Sequence, residues 1–344
     1  MNAPVSRARL AVASLAVALS CSFLLAPSDA VAVVAPAAAA VSPAGVCVTG
    51  AGRPTPARGH ADTPPVSAAL KARVATAVHQ ETTTARARAA RTGAPVLPAQ
   101  IQVPVQIHVI HGRHHGDRAI SRVQARRLFY TLRAGYNGRQ NSEMTPTGII
   151  FELNAITISR NDAWFHAKPG SRADRQMKRT LHRGKRRVLN VYLNDAKSQG
   201  QALLGFARFP WLAGPYPLLD GITINVGTLP GGRARGYNLG DTIIHESGHW
   251  LGLFHTFEGG CDAPGDYVND TAAEGEPSFT CPRTRDTCPT ELPSGWMPGD
   301  PEPQPVFDPV TNFMDYSYDS CMNNFTPGQR TRMVTLFMRY RYGR

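Results

Sequence analysis

The sequence predicts an α/β fold whose first part is regular and whose second part is irregular. Segments 102–110, 149–159 and 188–194 are short and rich in Val, Ile and Leu, as buried strands are, while 119–136 has helical periodicity. After His255 the chain is rich in Gly, Pro, Asp and Cys and has little apolar periodicity. We therefore expect a twisted sheet with helices above a cleft, and a loop-rich, disulfide-bonded subdomain below it.

The N-terminal residues have the layout of a signal peptide. Arg7 and Arg9 precede an apolar run over 10–26, and small residues follow at 28–30. The alternative is a membrane anchor, but the run is about as short as a spanning helix can be, and a proline and an aspartate follow closely. We expect cleavage after residues 1–30, a secreted protein and no stable membrane insertion.

Residues 31–97 predict a largely flexible pro-segment, because they are rich in Ala, Pro, Thr and Arg and nearly lack aromatic residues. Residues 66–91 could form one helix, although a run of threonines at 82–84 argues against a stable core. Residues 98–344 remain for a single catalytic domain, which is long enough to bury one core with a cleft.

Three histidines at a defined spacing indicate the chemistry. On a helix, His245 and His249 project from one face because they lie four residues apart. Gly252 lacks a Cβ and can turn the chain sharply, so that His255 returns as the third nitrogen ligand. Three protein ligands leave one coordination position open, which is typical of a catalytic zinc site. The alternative, ordinary core or surface histidines, requires five specified positions to match by chance.

The zinc motif and the segments after it resemble the pappalysin, or cytophagalysin-like, metalloproteases of the metzincin clan. The second element of the resemblance is Asn312-Phe313-Met314-Asp315-Tyr316, the methionine turn. Further matching segments lie at 251–261, 265–266, 270–271, 286–289, 319–322 and 325–326. The resemblance implies a metzincin fold and a secreted zinc endopeptidase, with Met314 as a floor under the metal and Tyr316 near the scissile carbonyl. The alternative for both residues is ordinary packing.

The resemblance also gives roles to Glu246 and to the strand at 204–207. Glu246 takes a proton from the attacking water and delivers it to the leaving amine, and Tyr316 stabilises the oxyanion. Segment 204–207 resembles the upper-rim edge strand, which binds an extended substrate by strand addition. Two alternatives stay open: a zinc-binding adhesion module, which would not need Glu246, and a hydrolase of non-peptide substrates with the same three ligands.

Five cysteines remain after export. Cys261, Cys281, Cys288 and Cys321 lie in the loop-rich part, where disulfides would supply rigidity in an oxidising compartment. Four cysteines allow three pairings, and the resemblance implies Cys261 with Cys288 and Cys281 with Cys321. Cys47 is left over in the pro-segment. It is either a latency switch, whose thiolate fills the open zinc position, or a bystander thiol.

Acidic residues after the zinc motif suggest calcium. Asp262, Asp266 and Asp270 lie in a Gly-rich loop, and alternating oxygen ligands suit this ion. The resemblance implies calcium with Asp266, Val268 and Thr271 as the contributing positions. The alternative is that the aspartates cap turns.

The formal net charge of +12 does not by itself indicate a nucleic-acid partner. The basic tract at 172–187 has little aromatic interleaving, so we expect a solvated face that attracts anionic walls or acidic substrates. We expect a protein or peptide substrate, no nucleic acid and a monomer. His108, His111, His114 and His115 are expected to form a surface turn and not a second metal site.

The prediction about substrate specificity rests on Asp319. This residue follows the methionine turn, in the segment that forms a wall of the pocket for the residue after the scissile bond in this clan. A partly desolvated carboxylate prefers a cation, and a guanidinium pairs with it in a bidentate manner. We therefore expect cleavage before Arg and less efficiently before Lys, with self-processing at the arginines between 86 and 91. The alternative is that Asp319 caps the turn before Cys321.

Overall fold

The computed structural model describes residues 46–50, 66–114, 120–198, 201–289 and 306–343. The predicted signal peptide and most of the predicted pro-segment before residue 66 lie outside these residues. No helix in the described part of the chain is both long and apolar enough to cross a membrane. The elements in chain order are β1 (Val46–Gly50), α1 (Ala68–Thr92), β2 (Ile101–His111), α2 (Arg122–Tyr136), β3 (Ile149–Arg160), α3 (Asp162–Phe165), α4 (Arg172–Leu181), β4 (Leu189–Asn194), β5 (Lys197–Ser198), β6 (Gln201–Arg208), β7 (Ile222–Asn225), α5 (Thr242–Leu251) and α6 (Pro327–Tyr340).

One mixed sheet organises the regular part of the molecule. Its strand order is β1-β6-β7-β4-β2-β3, and the short β5 pairs with β6. Strands β3, β2, β4 and β7 are parallel, whereas β6 runs antiparallel to both β7 and β1. The predicted strands at 102–110, 149–159 and 188–194 are confirmed as β2, β3 and β4. Strand β4 is buried at every position, although Asn190 and Asn194 interrupt its apolar residues.

Helices α2 and α5 pack against each other beside the sheet. Helix α2 begins with a capping box in which Ser121 and Gln124 satisfy each other's backbone N–H groups. Gly135 on α2 permits the close contact, since a Cβ at this position would lie 2.4 Å from the Cδ1 atom of Ile244. This contact fixes α5, the helix of the zinc motif, against the upper core.

The region around α6 holds the C-terminal end of α5. The Nε atoms of Arg332 and Arg341 donate to the carbonyls of Gly252 (2.9 Å) and Trp250 (3.1 Å). The Arg341 guanidinium also lies 3.6 Å from the centroid of a Trp250 ring and pairs with Asp220 at 2.6 Å. Carbonyls at a helix end lack intrahelical partners, and these two arginines supply them.

The single helix that residues 66–91 could form is present as α1, although the threonine run argued against a stable core. Helix α1 is capped by Ser67, ends at Gly93 with φ 67°, and buries Val74 and Ala77. It contacts α6, where Arg339 pairs with Glu81. Packing against the catalytic domain therefore compensates for the weak helix propensity of the threonine run.

Two polar side chains expected at the surface are buried. Lys178 lies 3.0 Å from an oxygen of Asp174, and its Nζ is 4.4 Å from the centroid of the Phe206 ring. His108 lies within the sheet, 2.9 Å from the Thr157 hydroxyl, and burial lowers its pKa to about 4. The surface predictions for His108 and for this part of the basic tract are therefore wrong, because tertiary contacts satisfy both groups.

The described residues between α5 and α6, 252–289 and 306–326, have little regular structure, as predicted. They contain the disulfides Cys261–Cys288 and Cys281–Cys321, the pairing that the resemblance implies. The second one joins the loop to the segment after the methionine turn. Cross-links replace apolar burial as the source of order in this subdomain.

Candidate active site

The zinc motif folds as the spacing predicts. Helix α5 brings the Nε2 atoms of His245 and His249 to 3.0 Å, and the Nε2 atom of His255 lies 3.1 Å from that of His249. Gly252 adopts φ 105°, which reverses the chain beyond the helix and returns His255 to the site. These three histidines are the only group of three or more His, Cys, Asp and Glu in the described ranges that could share a metal ion.

The orientation of the imidazoles fits zinc. The Nδ1 atom of His245 lies 2.7 Å from the carbonyl of Phe313, and that of His249 lies 2.8 Å from the carbonyl of Leu253. A carbonyl accepts a hydrogen bond, so each Nδ1 carries the proton and each Nε2 presents a lone pair. Lone pairs converging at this distance repel one another unless a cation lies between them. A tetrahedral zinc with Zn–N distances of about 2.0–2.1 Å suits this spacing.

The protonation state of the histidines also suits a metal. Burial lowers the pKa of His245 to about 4. Burial also lowers the pKa values of His249 and His255 well below their ordinary value, and the neighbouring histidines lower them further. The neutral form is the one that binds a metal, so the three rings are ready as ligands at neutral pH.

Glu246 lies against strand β6. A Cβ added to Gly205 of this strand would lie 2.8 Å from the Oε1 atom of Glu246, so the absence of a side chain makes room for the carboxylate. The Glu246 side chain is fully buried. Sequence reasoning placed Gly205 on the strand but missed this role. A glycine inside a strand is itself an indication of a close approach.

The methionine turn lies beneath the ligands. Met314 is fully buried, and a Cβ on Gly248 of α5 would lie 2.4 Å from its sulfur. The turn also accepts a hydrogen bond from the backbone N–H of Thr256, the residue after the third ligand. The Tyr316 ring lies 4.9 Å from that of His255, measured between centroids. The structure therefore places Met314 and Tyr316 beside the histidines.

Asp319 lines a pocket beside His245, together with Thr242, Tyr316 and Met322. Its Oδ2 atom accepts three backbone hydrogen bonds, from Leu239 (2.8 Å), Gly240 (3.0 Å) and Asp241 (3.3 Å). Asp319 thus caps the chain entering α5, and not the turn before Cys321.

The charge state of Asp319 is set by two opposing effects. Burial raises its pKa to about 6, although the three N–H groups act in the opposite direction. Its Oδ1 atom makes no hydrogen bond within the described residues.

Comparison with known proteins gives a consistent result. The peptidase family described as pregnancy-associated plasma protein-A matches residues 172–338. An extracellular metalloprotease of Colletotrichum graminicola is 43% identical over 204 residues, which are 58% of this chain and 66% of that protein. Extracellular metalloprotease 1 of Coccidioides posadasii is 39% identical over 252 residues, which are 72% of this chain and 81% of that protein.

Solved structures agree on the fold. Mature mirolysin of Tannerella forsythia, in complex with a cleaved peptide, has 28% identity and a TM-score of 0.53 and covers 69% of this chain and 92% of its own. A promirolysin variant has 26% identity and a TM-score of 0.58, with 80% and 90% covered. The chain belongs to the pappalysin family of metzincin metalloproteases.

A buried acidic network supports the methionine turn of this pappalysin, and sequence reasoning missed it. Arg285 Nη1 lies 3.1 Å from both Glu274 and Asp308. Glu274 also accepts a hydrogen bond of 2.6 Å from the Thr256 hydroxyl. Burial raises the pKa of Glu274 to about 8 and that of the nearby Asp315 to about 6. The network joins Glu274, Arg285 and Asp308 to Thr256, the residue that follows His255.

The loop that is predicted to bind calcium contains one buried carboxylate, that of Asp266. Asp266 accepts a hydrogen bond of 2.9 Å from the N–H of Val268, and Thr271 follows in the same turn. Burial raises the pKa of Asp266 to about 7, and the positive charge of Arg332 opposes this increase. The charge of Arg332 therefore acts on the carboxylate that was predicted to bind calcium.

The other two acidic residues of this loop have different environments. Asp270 accepts hydrogen bonds from the Thr326 hydroxyl (2.6 Å) and the Gly328 N–H (2.7 Å), at the start of α6. Asp262 is exposed. Asp270 therefore caps the start of α6, as the alternative to calcium binding predicts.

Strand β1, from the predicted pro-segment, covers the outer edge of β6. The two strands pair antiparallel, with Cys47 opposite Ala207 and Thr49 opposite Gly205. The edge strand expected to offer free backbone groups is thus already paired. A pappalysin in this state cannot add a substrate strand at the same edge.

Helix α1 lies close to the end of the zinc motif. Lys71 pairs with Glu258, and its Nζ lies 5.7 Å from the centroid of the Phe254 ring. The arginines between 86 and 91 belong to this helix. Self-processing at these arginines does not fit the structure, because strand addition requires an extended segment.

Proposed function

We propose that the protein is a secreted zinc-dependent endopeptidase that cleaves protein or peptide substrates, with Glu246 as general base. The carrying observation is that the three histidines bring ligand nitrogens within 4.8 Å of one another, while Glu246, the residue after His245, lies against strand β6. The extracellular relatives support export. A zinc-binding adhesion module would not need Glu246, so the presence of this residue favours an enzyme. We further propose that it acts as a monomer and does not bind nucleic acid.

The residues divide the reaction between them. His245, His249 and His255 would hold the zinc ion, which supplies Lewis acidity toward the attacking water and the peptide carbonyl. Glu246 takes a proton from the water and gives it to the leaving amine. Tyr316, whose ring lies next to the ligands, stabilises the negative charge that develops on the carbonyl oxygen. Strand β6 orients the substrate backbone after β1 has left the edge.

A digestion assay tests this function. The secreted form should cleave a denatured protein, lose activity with a strong zinc chelator and regain it when zinc is restored. Failure to cleave any denatured protein, with zinc bound, would favour a hydrolase of non-peptide substrates.

We propose that the pro-segment keeps the enzyme latent. Pairing of β1 with β6 supports this proposal, because it occupies the strand that a substrate needs. Cys47 lies in β1 and would provide a thiolate for the open zinc position. Unchanged latency in a Cys47→Ala variant would exclude the thiolate as the cause of latency and leave strand pairing as the cause.

We propose that Asp319 selects Arg, and less strongly Lys, after the scissile bond. Asp319→Asn separates charge from structure, since the amide oxygen can accept the same three N–H groups as Oδ2. We expect the preference for Arg over Leu to fall by about 10-fold or more, as for a lost charge-assisted hydrogen bond. Cleavage before Leu should be unchanged. A preference that persists in the variant would contradict the assignment.

The same preference should depend on pH. The pKa of Asp319 is raised to about 6, so the carboxylate is ionised above this value and protonated below it. The ratio of kcat/KM values for Arg and Leu peptides should therefore rise between pH 5 and 7, by roughly 10-fold. In Asp319→Asn the ratio should be flat over this range, which provides the control.

We propose that calcium binds at Asp266, Val268 and Thr271 and stabilises the loop. A chelator selective for calcium should lower the thermal unfolding midpoint of the wild type without removing zinc. Asp266→Asn should have a lowered midpoint that no longer responds to the chelator, whereas Asp262→Asn should behave as the wild type. An unchanged midpoint in the chelator would contradict the proposal and leave the Val268 N–H and the charge of Arg332 as the partners of the Asp266 carboxylate.

A further inference from the structure

A groove lies between α2 and β3, at the end of the sheet away from β6. It has a volume of about 440 Å³ and is lined by Arg122, Arg126, Tyr130 and Arg133 on the helix and by residues 150–156 on the strand. We call it the basic groove. Nothing in the proposed catalytic reaction uses it.

The positive charge of the basic groove is concentrated on one face of α2. Arg126 and Arg133 follow Arg122 by four and eleven residues, so at about 100° per residue all three lie on one face of α2. Glu152 is the only carboxylate in the lining. In the described ranges neither Arg126 nor Arg133 forms an ion pair. Such a surface attracts an anionic partner.

The strand side of the groove offers backbone groups. Strand β3 ends the sheet and pairs only with β2 in the described part of the chain. Arg122 already donates to the carbonyl of Ile156, so acceptors of this strand lie within reach of a donor in the groove. A bulge leaves Asn154 without a partner on β2 and bends the strand locally. An extended chain can pair with the open edge on either side of this bulge.

Neighbouring cavities link the basic groove to the active site. Tyr130 lines the groove and also a second cavity of about 610 Å³. Asp319 and Met322 line this second cavity and the pocket beside His245. The groove therefore lies on the side of the site that the proposed function assigns to the substrate chain after the scissile bond.

We propose that the basic groove is an exosite for an acidic, extended segment of the substrate, C-terminal to the cleaved bond. Arg126 and Arg133 pair with its carboxylates, and the open edge of β3 pairs with its backbone. This inference rests on the proposed endopeptidase function. The substrate strand lies one spacing outside β6 and the acidic segment one spacing outside β3, so about six strand spacings of about 4.8 Å separate them and the acidic segment begins roughly nine extended residues after the cut.

A binding experiment with the full chain tests the groove independently of catalysis. Two fluorescein-labelled twelve-residue peptides are compared, one with a block of Glu and one with Gln at the same positions. We expect the Glu peptide to bind about 10-fold more tightly, as for two exposed ion pairs. The Arg126→Gln/Arg133→Gln variant should lose this difference. Arg172→Gln/Arg179→Gln, which removes the same charge from α4, should retain it.

Two outcomes of the binding experiment would overturn the proposal. An equal loss of affinity in both double variants would show attraction by net charge alone. A Glu peptide with N-methylated backbone that binds as well as the parent, or heparin that competes more strongly than the Glu peptide, would show a general polyanion site.

A kinetic experiment connects the groove to cleavage. Peptides with one cleavage sequence carry a Glu or Gln block starting about two, nine or sixteen residues after the cut. We expect the Glu block at about nine residues to lower KM about 10-fold with kcat unchanged, and the advantage to vanish in Arg126→Gln/Arg133→Gln. Equal hydrolysis of a short peptide by this variant would show that it folds. If short peptides are cleaved but the Glu block has no effect, the exosite alone is wrong; if no peptide is cleaved, the proposed function fails.

Discussion

Replacing Glu246 by Ala should lower kcat/KM by about 10²- to 10⁴-fold, the contribution of a positioned general base. Zinc should remain bound, because His245 and His249 are oriented by the carbonyls of Phe313 and Leu253 and not by the glutamate. The measurements are hydrolysis of a fluorogenic peptide and the zinc content of the purified protein.

The isosteric change Glu246→Gln distinguishes a chemical role from a packing role. Gln retains the volume that lies against Gly205 but cannot take a proton at neutral pH. We expect this variant to be as inactive as the Ala variant. Activity close to that of the wild type would refute the assignment of the base.

Replacing Arg285 by Met should have the largest effect on stability. It removes the cation that pairs with the buried carboxylates of Glu274 and Asp308. Breaking a buried pair by removing one partner costs about 3–5 kcal/mol. For a domain of this size we expect the thermal midpoint to fall by roughly 10 °C. Arg283→Met, which removes an exposed arginine two residues away, should change it little.

The loss of stability caused by Arg285→Met should increase as pH rises. The folded-state pKa values of Glu274 and Asp315, about 8 and 6, lie above their ordinary values because both groups are buried. The folded state therefore binds protons more tightly than the unfolded state, and this stabilisation is lost as pH rises through 6 to 8. Without Arg285 the carboxylates ionise at greater cost. The gap between variant and wild type should widen from pH 5 to pH 8; a gap that narrows would contradict this account.

The cluster of three histidines could be predicted because its geometry is local. Two histidines four residues apart share a helix face whatever the rest of the fold does, and Gly252 supplies the turn that returns His255. The strands β2, β3 and β4 could be predicted because short segments rich in Val, Ile and Leu indicate strands from local sequence alone. The disulfide pairing came from the family resemblance and not from the spacing.

The remaining features depend on contacts between distant segments. Arg285 meets Glu274 and Asp308 only after the loop has folded, and no periodic pattern connects these residues. Lys178 was expected in solvent because its neighbours are charged, yet Asp174 and the Phe206 ring satisfy it in the interior. Pairing of β1 with β6 has no signature in either strand. Propensity and spacing describe neighbours along the chain, so such contacts escape them.

The arginines that hold the end of α5 also affect when the site can form during synthesis. Arg332 and Arg341 bind the carbonyls of Gly252 and Trp250, about 80 and 91 residues earlier in the chain. A nascent chain that has emerged only as far as His255 has all three metal ligands but lacks these two partners. The histidines therefore acquire their final support late, when the segment around α6 has been made and folded. Delayed completion of this kind limits the time in which a peptide-cleaving site exists inside the cell that produces it.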